Sequence, residues 1–357
     1  MTPSPVKSPA SVVSLTASFG KNLGILLAFI FTCHFSFGQT EPTVSVDTSG
    51  KEVSQFHTTG EPTKKPKVAP GQLTPEEKKK RLWLITGVNV VGYGGALIVL
   101  SSAWYKDYPK TSFHTFNDSK EWLQMDKVGH GWAAYNAGRV SAGMWRWAGL
   151  SDKKAAWIGA LSSTAFLVGV EFLDAHSSKW GWSWSDFAAN IGGAALFVGQ
   201  EALWSEQRIQ LKFSFHIKDY SDPVLATRAD DLFGEPWYER MLKDYNAQTY
   251  WLSANLKSFL PKSGLPAWLN LSVGYGADGM FGGFENKWLD DQGNEIDRTD
   301  IPRKRQFYLA PDIDFTKIKT NKKWLRTVFT FLNAFKCPAP ALMIDSHGKV
   351  KGYVIYF

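Results

Sequence analysis

Asp126, Lys127 and His130 form a D-K-x-x-H run in which Asp126 and His130, four residues apart, share one helix face. Further on, Glu171 and Asp174 stand three apart at the end of the apolar stretch 155–170, with His176 just beyond. Ser183-Trp184-Ser185-Asp186 then opens another helix, and Asn190 and Gly193 follow on one face. Carboxylates and imidazole are the usual oxygen and nitrogen ligands of a divalent ion. Buried together, the same groups are tuned toward neutral pKa values and suit acid–base work on a lipid or cell-wall substrate. The candidate polar cluster is Asp126, Lys127, His130, Glu171, Asp174, Ser183, Asp186 and Asn190, with Asp126, His130, Glu171 and Asp186 as candidate metal ligands. Three readings stay open: a hydrogen-bond network that fixes helix register, a ligand or headgroup site, and a catalytic centre. Simpler roles also exist. Ser183 and Asp186 make a capping box, and Lys127 can pair with Glu171 or Asp174. Neither H-E-x-x-H nor G-x-S-x-G occurs here, so no reaction and no cofactor is assigned.

These residues need helices to position them. Thr74-Pro75-Glu76-Glu77 is a helix start with a capping Thr, a first-turn Pro and a capping-box Glu. The uncharged run 82–105 follows. It is long enough to cross a bilayer, and Gly87, Gly92, Gly94 and Gly95 give it a small-residue face suited to helix packing. Three further Ala- and Gly-rich helices are expected near 126–148, 153–175 and 184–204. The period then changes from 3.6 to 2. Alternating strands are expected around Leu211–Ile217, Tyr250–Leu256, Leu269–Tyr275 and Phe307–Phe315, with amphipathic stretches at 237–245 and 323–335. A hairpin turn is expected at Asp345-Ser346-His347-Gly348. The expected fold is α+β: about four helices in a bundle over 73–208, then an antiparallel β-rich region over 209–357 forming a partial or small barrel-like sheet.

The run Asp126-Lys127-Val128-Gly129-His130, then Gly149-Leu150-Ser151-Asp152, Glu171, and Gly181-Trp182-Ser183-Trp184-Ser185-Asp186-Phe187-Ala188 resembles the YfiM-like predicted periplasmic lipoproteins, a family of unknown function, in a long Bacteroidetes-type form. The resemblance covers about 125–205. A looser pattern, D-K-x-x-H with a later Glu and S-x-x-D-x-x-x-N-x-x-G, is similar to VanZ-like membrane proteins. Short family members are lipidated at a signal cysteine. Here Ile30-Phe31-Thr32-Cys33 departs from a lipobox, because Phe and Thr fill positions that want small residues. The resemblance implies an envelope location and no particular activity.

The last residues, Tyr353-Val354-Ile355-Tyr356-Phe357, resemble the terminal insertion signal of outer-membrane barrel proteins. About six strands are visible, fewer than the roughly eight of a bacterial transmembrane barrel, unless more lie in 218–248 or 278–304. Gly274-Tyr275-Gly276-Ala277-Asp278-Gly279 matches a dinucleotide fingerprint, but no helix and no βαβ unit follow it, so dinucleotide binding is rejected.

Residues 1–38 read as a signal peptide, with Lys7 and Lys21 as the positive n-region before the apolar run 23–37 and small residues at Ser36 and Gly38. The polar stretch 39–72 reads as a disordered linker. Cleavage after Gly38 would leave Cys337 as the remaining cysteine of the chain's two, without an internal disulfide. Sixteen Trp and 31 Gly among 357 residues suit a membrane-associated protein, whereas dispersed basic residues and export argue against nucleic-acid binding. The function expected is that of an exported envelope protein, outer-membrane or periplasmic, with a structural or lipid-associated role and a membrane lipid or envelope component as partner. One alternative is an integral membrane enzyme, of the inner membrane among others, acting on a lipid or cell-wall precursor through Asp126, His130, Glu171 and Asp186. Another is a periplasmic binding protein using Trp180, Trp182 and Trp184.

Overall fold

The computed structural model describes residues 73–103, 105, 108–290 and 292–356. The expected signal peptide over 1–38, including Cys33, the expected linker over 39–72 and Phe357 lie outside the described residues.

Helix α1 (Pro75–Ala103) starts on the expected capping box: the Thr74 amide donates to Glu77 Oε2 at 2.8 Å and the Glu77 amide to Thr74 Oγ1 at 3.1 Å. Helices α2 (Met125–Trp147), α3 (Asp152–Asp174) and α4 (Trp184–Trp204) follow, and each packs on the other two. Glycine sets their separation at two points. A Cβ on Gly159 would lie 2.5 Å from the Gly138 carbonyl oxygen, and one on Gly193 would lie 2.1 Å from that of Gly131. Only glycine allows backbones this close. Asn89 of α1 accepts from Ser141 Oγ of α2 at 3.1 Å, a polar tie between two largely apolar helices. Both α1, over Pro75–Ser102, and α3 are long and apolar enough to cross a membrane.

The chain then builds strand β1 (Ile209–Phe215), helices α5 (Pro223–Phe233) and α6 (Trp237–Lys243), strand β2 (Gln248–Asn255), the short helix α7 (Leu256–Phe259) and strand β3 (Leu269–Asp278). A small hairpin, β4 (Lys287–Leu289) with β5 (Glu295–Asp297), precedes strand β6 (Lys304–Ile313), helix α8 (Lys323–Leu332), and strands β7 (Ala339–Asp345) and β8 (Val350–Tyr356). The main sheet is antiparallel, in the order β1-β2-β3-β6-β7-β8, which makes the fold α+β. The expected hairpin turn joins β7 to β8, with Gly348 at φ 81°. Segment 218–248 holds α5 and α6 rather than extra strands, because Asp222 caps α5 ahead of Pro223. Segment 278–304 adds the β4–β5 hairpin as a separate two-stranded sheet, and no closed barrel forms among the described residues. The Gly274–Gly279 run lies in β3 and its end, with no helix after it.

The sheet is inside out. Register places Leu252, Val273, Leu309 and Leu342 in one row across β2, β3, β6 and β7, and these side chains are 49%, 55%, 47% and 54% exposed. Tyr275, Phe307, Ile344 and Val350 make a neighbouring row. The opposite face is buried and partly polar. Ser253, Asn255, Asn270, Ser272 and Asp312 point inward, and Lys212, fully buried, sits 2.8 Å from Asp312. Aromatic packing fills the rest of that face, with Tyr308 stacked on Tyr356 and Trp251 tilted against Tyr308. Helix α2 covers the β1–β2 end of the apolar face instead, where Trp132 packs on Phe213 and Tyr250, in the same row as Tyr275, and on Phe335, and donates to the Ala334 carbonyl. The helical and strand regions therefore share one core.

Candidate functional site

The site forms where the start of α2 meets the end of α3 and the start of α4. An unusual turn delivers α2 to it. Trp122, Leu123 and Gln124 all take the left-handed conformation, at φ 48°, 50° and 64°. Each such non-glycine residue costs roughly 1–2 kcal/mol, so the turn must be held from outside. The Trp122 amide donates to the Gly283 carbonyl, while Arg305 and Tyr275 both donate to the Leu123 carbonyl. Helix α2 then starts at Met125, with Asp126 in its first turn.

Lys127 is the hub of one side. Its Nζ lies 2.5 Å from Asp118 Oδ2, 3.0 Å from Asp126 Oδ2 and 2.9 Å from Asp186 Oδ1. The last contact is an ion pair too poorly aligned to be a hydrogen bond; the hydrogen bond to this carboxylate goes to Oδ2 at 3.1 Å. The pairing of Lys127 with Glu171 or Asp174, one option from the sequence, is therefore replaced by pairing with three aspartates. Ser183 and Ser185 both donate to Asp118 Oδ1, at 2.6 and 2.7 Å. Only half of the expected capping box at α4 forms. Ser183 Oγ accepts from the Asp186 amide at 3.0 Å, but the Asp186 carboxylate turns to Lys127, and the Ser183 amide donates to Glu171 Oε2 at 3.4 Å.

His130 is the hub of the other side. Its Nδ1 is 3.1 Å from Asn190 Oδ1 and 3.6 Å from Glu171 Oε1. Both neighbours are acceptors, so Nδ1 carries a hydrogen. Nε2 faces Asp126 Oδ1 at 3.8 Å, beyond hydrogen-bond length. Tyr245 donates to Asp126 Oδ1 at 2.7 Å from 119 residues away. One ligand atom each from Asp126, His130 and Asp186 lie within 4.8 Å of one another. Glu171 comes alongside His130. Asp174 is held at the rim, where Tyr105 donates to it at 2.7 Å.

The electrostatics follow from crowding. Burial, reinforced by the charge of Asp126, pushes Glu121 up to about 7. Burial and Asp126 likewise push Asp186 up to about 7. Burial opposes charge on His130, but Asp126, Asp186 and Glu171 outweigh it and raise its proton affinity. Burial also opposes ionisation of Asp126, yet His130 and Lys127 outweigh it and keep that carboxyl below its usual range. Lys127 stays charged for the same reason: its aspartates outweigh its burial.

The eight residues singled out from the sequence thus gather in one region, with Asp174 at its edge. Four contributors have no signal in the spacing of those eight: Asp118, Ser185 through its side chain, Tyr245 and Glu121. Of the three tryptophans considered for a cleft, Trp180 packs on Tyr105 and Tyr108, and Trp182 and Trp184 pack on Phe187.

The 115–200 segment, which contains nearly all of this site, matches the profile of a family described as a predicted periplasmic lipoprotein (DUF2279). The chain is similar to that family over this stretch. The match fits an exported envelope protein, in the periplasm or at the outer membrane, of unknown activity. No curated protein and no solved structure matches the chain.

Proposed function

We propose that this is an outer-membrane-embedded envelope protein with a structural or lipid-associated role. The observation that carries the proposal is the inside-out sheet. The row Leu252, Val273, Leu309 and Leu342 faces outward while Ser253, Asn270, Ser272 and Asp312 face inward. Alternation of this sense, apolar out and polar in, is what a lipid-facing sheet requires. Monomers in water rarely expose contiguous apolar patches beyond a few hundred Å². The helices add to it: Trp83, Val90, Val91 and Ile98 on α1 and Trp157, Leu161 and Phe172 on α3 are exposed. The polar motifs resemble those of YfiM-like and VanZ-like proteins, which suits the same envelope setting. Membrane fractionation tests the reading. The protein should stay in the pellet through a carbonate wash and leave it only with detergent; recovery as a soluble periplasmic species would refute it.

A second reading is an enzyme acting on a lipid or cell-wall precursor. It is favoured by the strained turn ahead of Asp126 and by the partial exposure of Asp126 and His130, unlike the buried Glu171 behind them. Replacing His130 and Glu171 separately with Ala separates site from scaffold. Lost envelope phenotype with unchanged melting temperature favours a site, and a large loss of stability favours a structural network.

A further inference from the structure

We propose that Asp126, His130 and Asp186 bind one divalent transition-metal ion, with Glu171 and Asn190 supporting the histidine. Three things make the geometry fit. First, Asn190 Oδ1 takes the Nδ1 hydrogen of His130, which leaves the Nε2 lone pair directed to the Asp126 side. Metal-bound histidines almost always donate their other ring nitrogen to a carbonyl or carboxylate in this way. Second, Nε2 and Asp126 Oδ1 are 3.8 Å apart and all three ligand atoms fall within 4.8 Å. Ligands at bond lengths of about 2.1 Å from one ion stand roughly 3.0–3.4 Å from each other, so closure needs only small movements. Third, buried polar atoms at this spot have no partner. Glu171 Oε1, in a residue 1% exposed, accepts no hydrogen bond, and Asn190 Nδ2, in a fully buried residue, donates none. Such orphans are uncommon in a finished structure and point to an occupant.

Charge points the same way. Asp118, Asp126, Glu171, Asp174 and Asp186 crowd the site, and Lys127 is the lysine among them. Lys127 contacts Asp118, Asp126 and Asp186 together, so a single ammonium offsets only part of the charge of five carboxylates. Tyr245 donates to Asp126 Oδ1, the oxygen that faces His130 Nε2, and so orients that carboxylate, as ligating carboxylates are usually oriented by hydrogen bonds. Two carboxylates and one imidazole suit Zn²⁺ or a neighbouring first-row ion. Three protein ligands leave a coordination position open on the partly exposed side of Asp126 and His130. The proposal is independent of the membrane reading, since it concerns the helix junction and not the sheet.

The test uses the full chain in detergent, purified without a histidine tag, stripped with chelator and titrated with Zn²⁺ against a competing fluorescent chelator. The wild type should take up about one equivalent, and metal analysis should agree. His130→Gln and Asp186→Asn should each weaken binding at least tenfold. Glu171→Gln, which keeps all three ligands, should weaken it roughly 10–100-fold. His176→Gln, a histidine outside the cluster, should bind as wild type. Near-UV circular dichroism identifies any variant that has not folded. Stoichiometric uptake by the wild type that survives in folded His130→Gln would overturn the proposal, and so would the absence of uptake by the wild type.

Discussion

Lys127 Nζ lies 2.9 Å from Asp186 Oδ1, so one ammonium ties the first turn of α2 to the first turn of α4. The same ammonium holds Asp118 and Asp126. Lys127→Met would leave the buried Asp118 and Asp186 and the half-buried Asp126 facing one another. Removing one partner of a buried pair destabilises by about 3–5 kcal/mol. Chemical unfolding in detergent should show a loss of that order, whereas Lys153→Met, on the exposed first turn of α3, should be nearly neutral.

Most of the helical scaffold could be read in advance, and the reason is local. The Thr74 cap, the i, i+4 spacing of Asp126 and His130, and the Ser183 cap are short-range patterns. Asp118 and Tyr245 were invisible because their contacts to the site span 9 to 119 residues and follow no period. The left-handed turn was also hidden, since Trp122-Leu123-Gln124 contains none of the residues that favour that conformation. For the sheet, alternation revealed the strands but not which face turns inward. One apolar face is covered by α2 at Phe213 and Tyr250 and left exposed at Leu252, Val273, Leu309 and Leu342, a division that no period in the strands encodes.

Glu121 should give stability a measurable pH dependence. Its folded pKa is raised from 4.5 to about 7 by burial and by Asp126 and Asp118, against Lys127 and Arg303. Between those values the folded state holds a proton that the unfolded chain has released. Stability from this group therefore falls as pH rises from 4.5 to about 7, then levels off. The difference between wild type and Glu121→Gln, measured as unfolding free energy against pH, should show that decline. A flat difference would count against the burial of this carboxyl.

Gly193 sets how close α4 comes to α2. Its added Cβ would meet the Gly131 carbonyl oxygen at 2.1 Å, backbone that cannot swing away. Gly193→Ala should cost about 1–3 kcal/mol, as overpacking does. Gly192 has open space beside it, and Gly192→Ala should be neutral or stabilising by up to about 1 kcal/mol. Melting temperatures of the two variants check the contrast. The first substitution should also weaken Zn²⁺ binding, because it separates His130 from Asn190.

The central claim, that the outward face of the sheet meets lipid, is tested most directly by reporting its environment. With Cys33 and Cys337 replaced by Ser, a fluorophore is attached at Val273→Cys on that face, or at Gln292→Cys beside the β4–β5 turn, in reconstituted vesicles. The expected result is strong quenching of the Val273 label by spin-labelled acyl chains and little by aqueous iodide, with the reverse at position 292. Iodide quenching at 273 as efficient as at 292, with no effect of the spin-labelled lipid, would contradict it.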